Sequence, residues 1–182
     1  MSPKSPFAKG VRVKPCSKAD LRNLAIAIRR TLRLENVAKF PVIRFLEFLQ
    51  LEFEDFEYEI VPPGTLPKGV FSWFNPFKGI VSICETYYTM ANKGNGFARW
   101  TILHECLHFI LHKDQMAALA RKDNHSHRIY EDSEWQADTL ACELLMPLDH
   151  INKDMTVEEV AKLFGVSQKA ARIRLNNLNK GD

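Results

Sequence analysis

The sequence predicts an α+β fold, a small antiparallel three-stranded sheet packed on helices, with a pair of C-terminal helices resembling a helix-turn-helix. Three observations carry this. Before residue 53 and after residue 96, apolar residues recur at helical spacing. Between those limits come one run of period two and two short aromatic or β-branched runs, bounded by Pro, Gly and Asn. Residues 153–182 then carry a cap and a glycine turn of their own. The expected organisation is a flexible N-terminal arm over 1–16, a main domain over 17–152 and a helical extension over 153–182.

The arm holds three prolines and several lysines. Ser17 is an N-cap with Asp20 in the capping-box position, and Leu21, Leu24, Ala25, Ile28 and Leu32 form the apolar stripe of a first helix. Pro41 suits the first turn of a second, whose stripe is Val42, Phe45, Leu46 and Leu49. Phe56, Tyr58 and Ile60 then alternate with Glu57 and Glu59, the pattern of a half-buried strand ended by Pro62-Pro63-Gly64. Val70 to Phe74 and Ile80 to Cys84 are further strands, joined by the turn Asn75 to Gly79.

After a break at Asn92 to Gly96, a helix is expected from Phe97 to His112 with apolar residues on nearly every face, the mark of a buried helix. Lys113 to Tyr130 is polar and read as partly loop. Another helix spans Glu131 to Met146 and stops at Pro147. Thr156 caps a final pair that turns at Gly165-Val166-Ser167 and continues from Gln168 to Leu178.

Composition narrows the class. Apolar residues are 46% and charged residues 26% of 182, which suits a soluble globular chain rather than a disordered one. Cys16, Cys84, Cys106 and Cys142 lack C-x-x-C spacing, and no secretory leader or membrane span is evident. Reduced thiols and a cytoplasmic location are therefore expected. A net charge of +3 permits a nucleic-acid partner without arguing for one.

The buried helix contains His104-Glu105-Cys106-Leu107-His108. Residues four apart share a helix face, so both imidazoles can reach one metal ion, while Glu105 is rotated aside to act on water. Two core histidines satisfied by carbonyls are the plain alternative. It is costly, because each buried polar group in an apolar helix needs its own partner. A catalytic zinc takes three protein ligands, and the third should come from another helix. Glu134 is the candidate, with Asp138 a turn later to accept the outer N–H of a ligand histidine, His104. Glu131 and Asp132 compete for the ligand role on spacing alone.

With these residues the chain resembles the ImmA/IrrE family of metallopeptidases. Arg99-Trp100-Thr101 precedes the H-E-x-x-H motif. Glu134-x-x-Ala137-Asp138-x-x-Ala141-x-x-Leu144-Leu145-Met146-Pro147 follows it, and this second string selects Glu134 as ligand. The resemblance spans roughly Val70 to Leu178. One departure is Leu107, where the family usually has glycine. The resemblance implies a soluble intracellular, zinc-dependent metallopeptidase of bacteria, phages or mobile elements, with manganese as an alternative ion. Its implied substrate is a helix-turn-helix repressor or similar regulator, cleaved in a stress or excision response. The expected roles are metal ligation by His104, His108 and Glu134 and general base catalysis by Glu105.

Other residues were weighed against blander roles. Tyr130, His125 and His127 precede Glu134 and are candidates for oxyanion stabilisation, with surface positions preferred. Arg99 either orients a group near the site or makes a structural ion pair. His112 is expected to cap or snorkel near a helix end, and Cys106 to act as a small buried hydrophobe. Ile80 to Cys84 is the expected sheet edge for pairing with an extended substrate. Lys169, Arg172 and Arg174 could face phosphates. Packing or protein recognition is nonetheless favoured over DNA binding for the last helices. A DNA-binding regulator and an inactive, partner-binding scaffold remain the rival functions.

Overall fold

A computed structural model describes residues 10–119, 127–152 and 154–179. The expected elements are present, with α1 at Lys18–Thr31, α2 at Val42–Glu52, β1 at Glu57–Val61, β2 at Ser72–Asn75 and β3 at Ile80–Cys84. They continue as α3 at Glu85–Asn92, α4 at Gly96–Leu119, α5 at Ser133–Leu145, α6 at Val157–Phe164 and α7 at Gln168–Asn179.

Local chemistry accounts for the helix ends. Ser17 and Thr156 both close capping boxes, with Asp20 and Glu159 respectively. Asp132 caps α5 by accepting from the Trp135 N–H at 2.9 Å. Gly165 ends α6 with φ +61°, a left-handed conformation that favours glycine. The short α3 has no side-chain cap and buries only Ala91, so it carries no local sequence signal.

The three strands make a mixed sheet rather than an antiparallel one. Its order is β1-β3-β2, with β1 parallel to β3 and β2 antiparallel to it. β3 is therefore the central strand, and the expectation that Ile80 to Cys84 forms an edge is corrected. Its nearly continuous apolar run suits a strand covered on both faces. In β1 the alternation is imperfect: Phe56 is buried just before the strand, but Ile60 is exposed.

α4 crosses the middle of the molecule. Ile102, Leu103, Cys106, Leu107 and Phe109 are all buried, so β2, α2, α3 and α5 find apolar surface on different sides of one helix. Each such Leu, Ile or Phe contributes about 1.5–3 kcal/mol. α1 packs on α5 through Leu21 and Ala25.

The first and last described segments both pack against the body. Residues 10–16, expected as part of a loose arm, run along 130–133. Val13 N–H donates to Glu131 O at 2.8 Å, Cys16 N–H to Tyr130 O at 3.0 Å and Ser133 N–H to Val11 O at 3.1 Å. At the other end Val160, Phe164 and Ala171 join the core. Arg174 is buried in an ion pair with Glu143, which withdraws it from any phosphate-facing surface; Lys169 and Arg172 stay exposed. Among the described residues no helix is long and apolar enough to cross a membrane.

Candidate metal centre

α4 and α5 lie side by side and bring His104, His108 and Glu134 together, with one ligand atom from each within 4.8 Å of the others. His104 Nε2 is 2.9 Å from His108 Nε2, and Glu134 places a carboxylate oxygen 3.2 Å from each. Two imidazole nitrogens facing each other this closely need a proton or a cation between them. Two nitrogens and a carboxylate, borderline in softness, suit a zinc-like ion and leave room for a further ligand. The residues present therefore fit a divalent metal.

The neighbours of this group are equally specific. Asp138 Oδ1 lies 2.9 Å from His104 Nδ1 as an ion pair, without the alignment of a full hydrogen bond. Burial acts against a charged His104, but Asp138 and Glu134 outweigh it and hold its pKa well above the imidazole range. In Glu134, burial is likewise overcome by the adjoining His104 and His108 imidazoles, so its carboxyl lies far below the usual range.

Glu105 follows His104 on α4, is 9% exposed and lies close enough to His104, His108 and Glu134 to feel their charges. Its Oε2 accepts the Phe74 N–H of β2 at 2.9 Å. Burial raises its pKa, opposed by the charges of His104 and His108 and by that N–H. The N–H ties one oxygen and leaves Oε1 for other partners.

His112 is buried in mid-helix, because α4 continues to Leu119; the expected capping or snorkelling at a helix end is corrected. Its Nδ1 lies 3.2 Å from His108 Nδ1 and its Nε2 3.0 Å from Gln136 Oε1. Burial, aided by the charge of His108, lowers its pKa to about 4. Gln136, absent from the sequence reading, donates through Nε2 to Lys14 O and Tyr130 O, both at 2.8 Å.

The remaining candidates have other partners. Glu131 pairs with Arg12 at 2.7 Å, and Asp132 both caps α5 and pairs with His127 at 2.8 Å. The competing ligands on spacing are thus engaged elsewhere. The Tyr130 hydroxyl accepts from Arg128 at 2.6 Å. His125 lies outside the described residues. Among the described residues Arg99 makes no ion pair but donates to three carbonyls, those of Phe40, Phe164 and Gly165, and so ties α4 to the α6–α7 turn. Burial without a carboxylate partner lowers its pKa to about 10. Cys106 is buried, and burial raises its thiol pKa steeply. Leu107, at the departure from the family pattern, is fully buried in the core.

Residues 91–176 match the family model Peptidase_M78, described as the IrrE N-terminal-like domain, in agreement with the resemblance drawn from the motifs. No curated protein matches the chain. Among solved structures, a Mycobacterium tuberculosis transcriptional regulator is similar in fold, with a TM-score of 0.58 at 14% identity. That likeness covers 84% of this chain and 45% of the regulator, so this chain corresponds to about half of that protein's length.

Proposed function

We propose that the protein is a zinc-dependent endopeptidase acting on an intracellular regulatory protein, with His104, His108 and Glu134 as metal ligands and Glu105 as general base. The observation that carries this reading is the convergence of the three ligand atoms within 4.8 Å beside a buried glutamate. A peptidase-family domain over residues 91–176 supports the reaction class.

A divalent cation, when bound, supplies Lewis-acid polarisation of a carbonyl and acidifies a water molecule. Glu105 takes the proton of the attacking water at Oε1 and delivers it to the leaving amine. The Phe74 N–H keeps the carboxylate aimed during both transfers. Asp138 restrains the His104 ring from its outer side.

Among the described residues β2 pairs on one side only, with β3, and its Phe74 N–H reaches Glu105 from the other. The free side of β2 thus runs beside the centre, and an extended substrate segment would add there by strand pairing. A helix-turn-helix repressor or similar regulator of a stress response, phage or mobile element is the proposed substrate class, by analogy with the family. The DNA-binding alternative keeps Lys169 and Arg172 on α7 but loses Arg174 to the interior.

Elemental analysis tests the reading directly. About one zinc per chain is expected, sharply reduced in Glu134→Ala. Glu105→Gln should hold the ion and cleave no substrate. Cleavage by a clean Glu105→Gln preparation would overturn the general-base role, and wild-type protein that takes up no added zinc would overturn the metal site.

A further inference from the structure

The side chains behind His108 form a chain of hydrogen bonds whose direction is determined at its far end. Gln136 places its Nε2 2.8 Å from both Lys14 O and Tyr130 O. Carbonyl oxygens only accept, so both amide protons of Gln136 are committed there. Reversing the amide would set its oxygen against two others. Gln136 Oε1 therefore faces His112 Nε2, at 3.0 Å, and can only accept. His112 must carry a proton on Nε2.

His112 is 1% exposed, and among the described residues no carboxylate pairs with it, so it holds one proton rather than two. Its Nδ1 is then a bare acceptor. The atom facing it, 3.2 Å away, is His108 Nδ1, which must donate. A neutral His108 with its proton on Nδ1 has its lone pair on Nε2, the atom 3.2 Å from Glu134 and 2.9 Å from His104 Nε2.

We infer that His112 and Gln136 are positioning residues that fix His108 in the Nδ1–H tautomer and so present its Nε2 lone pair to the metal. The inference rests on the proposed metal site but not on peptidase activity. The relay runs from the backbone of the N-terminal segment and of Tyr130, through α5, into α4. Glu134 and His104 face the near end of this relay from α5 and α4; Lys14 O and Tyr130 O face the far end. Neither His112 nor Gln136 touches the reacting atoms, and both act through His108.

The test separates relay from packing. Zinc affinity of the full chain is measured by chelator competition for wild type, His112→Phe and His112→Gln. Phe keeps the ring-sized apolar volume and removes the acceptor; Gln loses the ring shape and restores a carbonyl oxygen. Loss of an outer partner of a metal ligand typically weakens binding about 10–100-fold. That loss is expected in His112→Phe, with most of it recovered in His112→Gln. The opposite order, Phe harmless and Gln harmful, overturns the relay.

A second measurement needs no variant and no activity. Long-range proton–nitrogen correlation spectra of labelled wild-type protein, metal-free and zinc-loaded, report which His112 nitrogen is protonated. Nε2–H is expected in both states; Nδ1–H in either overturns the inference. In a chain that bound no zinc, which would defeat the metal reading itself, the His112 tautomer would still decide the relay.

Discussion

α5 carries a glutamate near each end, Glu134 half-buried and Glu143 buried, in different company. Glu134 in its first turn faces His104 and His108, at 3.2 Å each. Glu143, near its last turn, is 3% exposed. It accepts from Arg174 at 2.9 and 2.8 Å and from Arg22 at 3.2 Å, and Arg174 also donates to Met146 O at 3.0 Å. In both, burial acts to raise the pKa and the partners overcome it, so both carboxyls are held below the usual range. The difference lies in what the partners can give up. A guanidinium keeps its proton and its geometry, which closes the Glu143 cluster and fastens α7 to the body. Imidazoles release protons near neutral pH and then offer lone pairs to a cation. On one helix, then, the partner's chemistry separates a strut from a reactive centre more clearly than burial or a shifted pKa does.

The sharpest way to break this contrast is Glu134→Ala. Zinc affinity should fall well beyond the ~10–100-fold typical of losing an outer partner, while the metal-free melting temperature barely changes. A large fall in metal-free stability would make Glu134 a strut like Glu143.

Glu143→Ala is the reciprocal experiment. It leaves the Arg174 charge buried and unpaired, and should cost about 3–5 kcal/mol in denaturant unfolding with zinc content per folded chain unchanged. The double variant Glu143→Leu/Arg174→Met should lose less than either single change, because no lone charge remains in the interior and the partly exposed Arg22 can turn to solvent. If the double loses the sum of the two singles, the pair is not coupled as described.

Acid separates the ends further. Glu143 has a folded pKa below its unfolded value, so its stabilisation is complete above the unfolded value, about 4.3. It is lost as pH falls through the folded value. Wild-type melting temperature should drop across that window more steeply than in the double variant. Equal slopes would remove Glu143 from the acid response.

The smallest effect expected is that of Asp138→Asn, which keeps the shape and removes the charge beside His104 Nδ1. Zinc affinity should fall about 10-fold, near the lower end for an outer partner, with the fold intact. No change would mean that the 2.9 Å ion pair does nothing for the ligand.

Much of this organisation is legible in the sequence, for reasons that differ by element. Period-3.6 stripes and capping boxes place α1, α2, α6 and α7 because those signals are local. The spacing of His104 and His108 puts both rings on one helix face, and the string from Glu134 to Pro147 picks the carboxylate that the structure brings to them. Strand direction is not local: a period of two reads the same whether β1 runs with β3 or against it. The central position of β3 did leave a trace, an apolar run from Ile80 to Cys84 broken only by Ser82, against the alternating glutamates of β1. His112 was misread because the polar run after it resembles a helix end, although it continues the four-residue spacing of His104 and His108. Gln136 and the Phe74 N–H left no trace, since their roles depend on segments brought together only by folding.

The segment from Gly10 to Cys16 has a practical consequence. It lies against 130–133 so closely that a Cβ on Gly10 would fall 2.4 Å from Asp132 Oδ1, and its Lys14 carbonyl anchors Gln136. The family match begins only at residue 91. A fragment begun at the first helix, Lys18, would retain the sheet and every residue proposed as metal ligand or general base. It would still lack the carbonyl that orients the Gln136 amide, and would bind its ion weakly for a reason found nowhere near the motif.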